Sequence, residues 1–206
     1  MAILGAVARA AGRIFGAPGR RGRLAAPALV GLLWSCAVAL SAAPAPSREY
    51  QIKAVFLYNF VQFVEWPERA FADAGAPLRI GVLGEDPFGP ALDEAVRGET
   101  VRARRLEVKR GRRLADLDDC QLVFFSRTEA WQVSAHLDRL RDHPVLTVGD
   151  SADFARRGGV IAFYPEGKKV RFEINAARAR RLGLKLSSEL LELGRVVGDE
   201  AGPGGD

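Results

Sequence analysis

Two glycines after an apolar run, Gly84 and Gly89, have the spacing of a phosphate-binding loop. Such a loop must continue with Lys and Ser or Thr, which hold the phosphates and their magnesium. This chain continues with Pro90 and Ala91, so nucleoside triphosphate chemistry is not expected. The dinucleotide fingerprint G-x-G-x-x-G is missing as well. The two histidines, His136 and His143, have no cysteine or second histidine at metal-ligand spacing. Ser126 ends an apolar run, but no G-x-S-x-G elbow surrounds it. Glu65, Asp118 and Asp119 are the carboxylates best placed for acid–base work, and they read as solvated surface groups. No set of residues joins a nucleophile, a base and an electrostatic stabiliser. The chain is therefore expected to be non-enzymatic, with no metal and no cofactor.

Binding chemistry has better candidates. Trp66 lies between Glu65 and Pro67 at the end of a helical pattern, where a large aromatic ring can be exposed. Partner surfaces favour such anchors, so Glu65, Trp66 and Pro67 form a candidate contact. Asn59 interrupts an apolar stripe; it is either a core group bonded to backbone or a ligand contact. Arg171, Glu173 and Asn175 alternate with Val170, Phe172 and Ile174 and so share one sheet face. That face is either solvated and ion-paired or the floor of a cleft for a small anion. Cys120, just before Leu122-Val123-Phe124-Phe125, reads as a small buried hydrophobe rather than a redox group.

These residues are carried by alternating helix and strand patterns. Ser47 is a suitable cap for a helix running to about Val64, with Ile52, Val55, Phe56, Asn59, Phe60 and Phe63 on the inward face. Strands are expected at Leu78–Leu83, over residues 100–109, at Gln121–Ser126, at Val145–Val148, at Val160–Tyr164 and at Val170–Ile174. The last two form a hairpin around Pro165-Glu166-Gly167. Helices are expected near Pro90–Arg97, over Thr128–Arg141 with Trp131, Ala135, Leu137 and Leu140 facing inward, and from Ala176 to Val197. This order implies a single compact α/β domain. Its sheet is mostly parallel, with an antiparallel edge hairpin and helices on both faces.

The net charge of +5 is unevenly placed. Residues 1–43 hold Arg9, Arg13, Arg20, Arg21 and Arg23 and no acid, five of the 30 basic residues. The remainder has 25 basic residues against 25 acidic ones. A charge-driven nucleic-acid partner is thereby excluded. The same segment resembles a secretory leader: an arginine-rich start, an apolar stretch from Leu24 to Leu40, then small residues. Ser41-Ala42-Ala43 and Ala43-Pro44-Ala45 both fit a cleavage pattern, with an uncleaved anchor as the alternative. Cys36 would leave with the leader. Cys120 would then have no intramolecular disulfide partner. Three segments are expected: a leader over 1–43, an α/β domain over 48–197 and a disordered tail over 198–206.

Several pieces of the chain together resemble the YfiR/HmsC-like family of periplasmic proteins. They are Tyr50-Gln51-Ile52-Lys53 through Phe60, Phe63-Val64-Glu65-Trp66-Pro67, and Asp86-Pro87-Phe88-Gly89. Further on come Leu146-Thr147-Val148-Gly149-Asp150, Gly158-Gly159-Val160-Ile161 and Arg171-Phe172-Glu173-Ile174-Asn175, and finally Gly183 to Leu191. The resemblance implies a periplasmic repressor of an inner-membrane diguanylate cyclase, restraining cyclic-di-GMP signalling and biofilm formation. It also implies a homodimer and an OmpA-like outer-membrane lipoprotein as a second partner. A small-molecule-binding module feeding a signalling or transport system is the alternative. Some relatives carry cysteine pairs; the lone Cys120 gives no support for redox control here.

Overall fold

The computed structural model describes residues 46–151 and 153–198. The leader, and the tail from residue 199 onward, lie outside the described residues. Helix α1 spans Arg48–Phe63, and the Ser47 side chain accepts a hydrogen bond from the Tyr50 amide at its start. A short strand β1 (Val64–Glu65) follows, then β2 (Leu78–Leu83), α2 (Pro90–Val96), β3 (Thr100–Val101) and β4 (Arg104–Gly111). Next come β5 (Leu122–Phe125), α3 (Val133–Arg139), β6 (Leu146–Gly149), β7 (Ile161–Glu166) and β8 (Lys169–Ile174). The chain closes with α4 (Ala176–Arg181), β9 (Lys185–Leu186), α5 (Ser188–Leu193) and β10 (Arg195–Val196).

The main sheet has eight strands in the order β10-β8-β7-β6-β5-β2-β4-β3. The run from β4 to β7 is parallel, and antiparallel hairpins close both ends. Ile80, Leu122 and Leu146 are in register, as are Val82, Phe124 and Val148. Alternation along β2 and β5 divides the core. Ile80, Val82, Leu122 and Phe124 face α1 and α2, whereas Leu83, Val123 and Phe125 face Val133 and Leu137 of α3. Parallel strands buried on both faces need such near-continuous apolar runs. Phe154 closes the second layer against two glycines. A β-carbon at Gly149 would lie 2.2 Å from its ring, and one at Gly159 only 2.1 Å away.

Four expectations are corrected. The buried stripe of α1 is Lys53, Ala54, Leu57, Phe60 and Val61, whereas Ile52 and Val55 are exposed. The helix is apolar nearly all round, so periodicity alone could not choose its inward side. Residues 100–109 are not one strand. Arg102 and Ala103 both adopt positive φ, 51° and 64°, and form the turn of the β3–β4 hairpin. Primed hairpin turns usually contain glycine or asparagine, and none marks this one. The Thr128–Arg141 segment is helical only in part, and Trp131 is 79% exposed while Val133 and His136 face inward. The stretch from Ala176 to Val197 forms two short helices and two short strands rather than one helix. Gly183, at φ 77°, terminates α4, and β9 then pairs with β1. Beyond Gly194, β10 lies parallel on β8, so the β7–β8 hairpin is covered at its outer edge.

Candidate functional site

The first turn of α1 crosses the carboxyl ends of β5 and β6. Tyr50 and Lys53, three residues apart, therefore point at the residue that follows β6, Asp150. The Tyr50 hydroxyl donates to Asp150 Oδ2 at 2.7 Å, and the Lys53 ammonium donates to Oδ1 at 2.6 Å. Lys53 also pairs with Glu49 one turn back. Arg127, just after β5, closes the ring: its Nε lies 3.3 Å from Asp150 Oδ2, and its outer nitrogen 3.2 Å from Glu49. The Lys53 and Asp150 side chains are 3% and 2% exposed. The ammonium sits 4.7 Å from the centre of the Tyr50 ring and 5.6 Å from that of Phe163.

Burial and the Asp150 carboxylate push the Tyr50 phenol well above the usual tyrosine range. It therefore stays protonated at neutral pH and acts as a donor. The hydrogen bond from Lys53 holds the Glu49 carboxyl below its ordinary range. Burial of an ion pair is tolerated only when further hydrogen bonds satisfy the charges, and here Tyr50, Glu49 and Arg127 supply them. With these oxygens and the ammonium engaged, the cluster fastens α1 to two strand ends and offers no free nucleophile or base.

Grooves open on both sides of it, at the strand carboxyl ends where α/β sheets commonly hold ligands. One, of about 590 Å³, lies between α1 and the tip of the β7–β8 hairpin. The other, of about 360 Å³, is bounded by Arg127, Asp150, Phe163 and Tyr164.

The residues singled out by sequence occupy several places. Trp66 is half-buried, and its indole N–H donates to the Gln121 carbonyl at 3.0 Å. Its ring helps line a shallow groove of about 140 Å³ with Phe71, Val101 and Arg104. Glu65 is exposed and pairs with Arg102 at 3.0 Å and Lys185 at 3.9 Å, and Pro67 beside them is half-buried. These three remain together on one surface. Asn59 is half-buried on α1. Arg171, Glu173 and Asn175 have separate tasks. Arg171 is exposed and donates to Glu166 at 3.1 Å. Glu173 is buried, bonded to Arg195 of β10 and 3.8 Å from Arg156. Asn175 is fully buried; it caps α4 by accepting from the Arg178 amide at 2.8 Å and donates to the Ala155 carbonyl at 3.0 Å. It is a buried polar group bonded to backbone, one of the two readings open for Asn59.

Several of the remaining chemical candidates are engaged or buried. At Gly84 a β-carbon would meet Glu129 Oε1 at 2.7 Å, so an acidic side chain packs directly against this glycine. Asp119 pairs with Arg79 and Lys109 at the surface, and Ser126 Oγ bonds Thr128 Oγ1 at 2.6 Å. Cys120 is buried, and burial pushes its thiol up to about 12.

The Lys53–Asp150 pair was not identified from sequence. Its partners are 97 residues apart, and both lie within pieces that had served only as family marks. A lysine inside an apolar helical stripe and an aspartate closing an apolar strand were the available signs. A family profile described as YfiR/HmsC-like matches residues 50–195, a span that includes Tyr50, Lys53 and Asp150. No curated protein matches the chain.

Proposed function

The chain belongs to the YfiR/HmsC-like family, and from that premise we propose that it is a periplasmic regulatory protein rather than an enzyme. It represses a membrane-anchored diguanylate cyclase and so restrains cyclic-di-GMP signalling and biofilm formation. The observation that carries this reading is the family match across residues 50–195. The arginine-rich, apolar leader supports export. Among the described residues no helix is long and apolar enough to cross a membrane. Without catalysis, the protein acts by binding one state of its target more tightly than the other. Its partner is the periplasmic part of the cyclase. An OmpA-like lipoprotein that sequesters it, and a homodimer, belong to the same reading.

Glu65, Trp66 and Pro67 are the proposed contact. Since the indole N–H is satisfied internally, the ring edge and the adjoining groove are what the surface offers. Beyond position 43 the opposite charges balance, so salt is expected to alter affinity only modestly. The test is deletion of the gene in a strain expressing the cyclase, with cyclic-di-GMP measured and wild type or Trp66→Ala restored. Deletion is expected to raise cyclic-di-GMP, and an unchanged level rejects the repressor reading. Full repression by a folded Trp66→Ala protein would reject the anchor alone.

A further inference from the structure

The larger groove beside the ion cluster has an unbalanced charge. Arg48, Lys53, Lys168 and Lys169 line it against a single acid, Glu49. Glu49 is engaged by Lys53 and Arg127, and Lys53 is in turn bound to Asp150. Arg48, Lys168 and Lys169 have no ion-pair partner among the described residues. Three cations without a counterion around one concavity repel each other, and an anion placed between them relieves that repulsion.

The groove is not simply a cationic surface. Ile52, 38% exposed, belongs to its lining, as do the half-buried Val170 and Tyr164. Water-exposed apolar surface in a concavity favours the burial of an apolar body. The volume of about 590 Å³ falls within the ~300–1,000 Å³ usual for small-molecule sites.

We propose that this groove binds a small amphipathic anion. A carboxylate or phosphate head lies among Arg48, Lys168 and Lys169, and the apolar body rests on Ile52, Val170 and Tyr164. The site is separate from the Trp66 surface, and the proposal does not rest on the repressor reading.

The purified protein is titrated at low salt with octanoate, octyl phosphate and neutral 1-octanol, with amide NMR shifts as the readout. Saturable shifts over residues 48–53 and 164–170 are expected for both anions, with 1-octanol about tenfold or more weaker. The exposed double variant Arg48→Glu/Lys168→Glu should weaken the anions about tenfold while leaving Tm and 1-octanol binding unchanged. Comparison of the two anions at equal charge, with octyl phosphate held as the monoanion below its second pKa of about 6, shows which head-group geometry the groove prefers. Non-saturable shifts, shifts centred elsewhere, 1-octanol binding as tightly as the anions, or an unaffected double variant would each overturn the proposal.

Discussion

Asp150→Asn tests the buried ion cluster most directly. The amide is nearly isosteric, but it cannot balance the Lys53 charge, and its NH₂ group turns one acceptor into a donor. Breaking one side of a buried pair typically costs about 3–5 kcal/mol, because the other charge stays buried without compensation. Lys53 keeps Glu49 as a partner, whose side chain is 43% exposed. The loss is therefore expected at the low end, about 3 kcal/mol. For a domain of this size that lowers Tm by roughly 6–12 °C. The assay is urea unfolding followed by circular dichroism, with Lys53→Met and the double variant Lys53→Met/Asp150→Leu run alongside. The double variant should recover much of the loss, since it buries neither charge. A loss below about 1 kcal/mol for Asp150→Asn, or single-variant effects that simply add in the double variant, would refute the view that the pair acts as a unit.

The same cluster predicts alkaline behaviour. The Tyr50 phenol titrates higher in the folded state than the ordinary value of 10.0, so its stabilisation is complete below that pH and declines as pH rises above it. Tyr50→Phe should flatten this decline in stability-versus-pH curves measured by urea unfolding. Glu49 has the opposite sign: its contribution is present above 4.5 and lost on acidification, and Glu49→Gln should flatten the acid limb. Cys120 should resist thiol reagents in native protein, and Cys120→Ala should cost about 1 kcal/mol through a small cavity; rapid stoichiometric labelling would contradict its burial. Gly159→Ala should destabilise by about 1–3 kcal/mol, since its methyl would strike Phe154, and Phe154→Leu should relieve part of that loss in thermal melts. Export predicts a mature chain beginning between Ala42 and Ser47, which N-terminal sequencing of periplasmic material checks.

Much of the sheet was legible in the chain itself. The runs at Leu78–Leu83, Leu122–Phe125 and Leu146–Gly149 are short, apolar and bounded by turns, which for strands buried on both faces leaves little alternative. The alternation of Val170, Phe172 and Ile174 marked β8, and Ser47 marked the start of α1. The family was legible too, because its pieces lie in order along the chain. The balance of 25 basic and 25 acidic residues beyond position 43 is likewise read from the chain without any fold.

Other features were decided only by tertiary structure. The inward side of α1 follows from the strands beneath it and from Lys53 reaching Asp150, since Ile52 and Val55 are as apolar as the residues that became buried. Trp131 looked like core by its type, yet the segment around it forms little helix and leaves the ring in solvent. The stretch from Ala176 to Val197 had helical residues throughout. Its break at Gly183, the pairing of β9 with β1 and the docking of β10 on β8 all depend on distant partners. The ion cluster is the clearest case. Glu49, Tyr50 and Lys53 come from one helical turn, Arg127 from the end of β5 and Asp150 from the end of β6. An isolated segment places no charge near another so far along the chain, and only the folded sheet gathers these five groups around the buried Lys53–Asp150 pair.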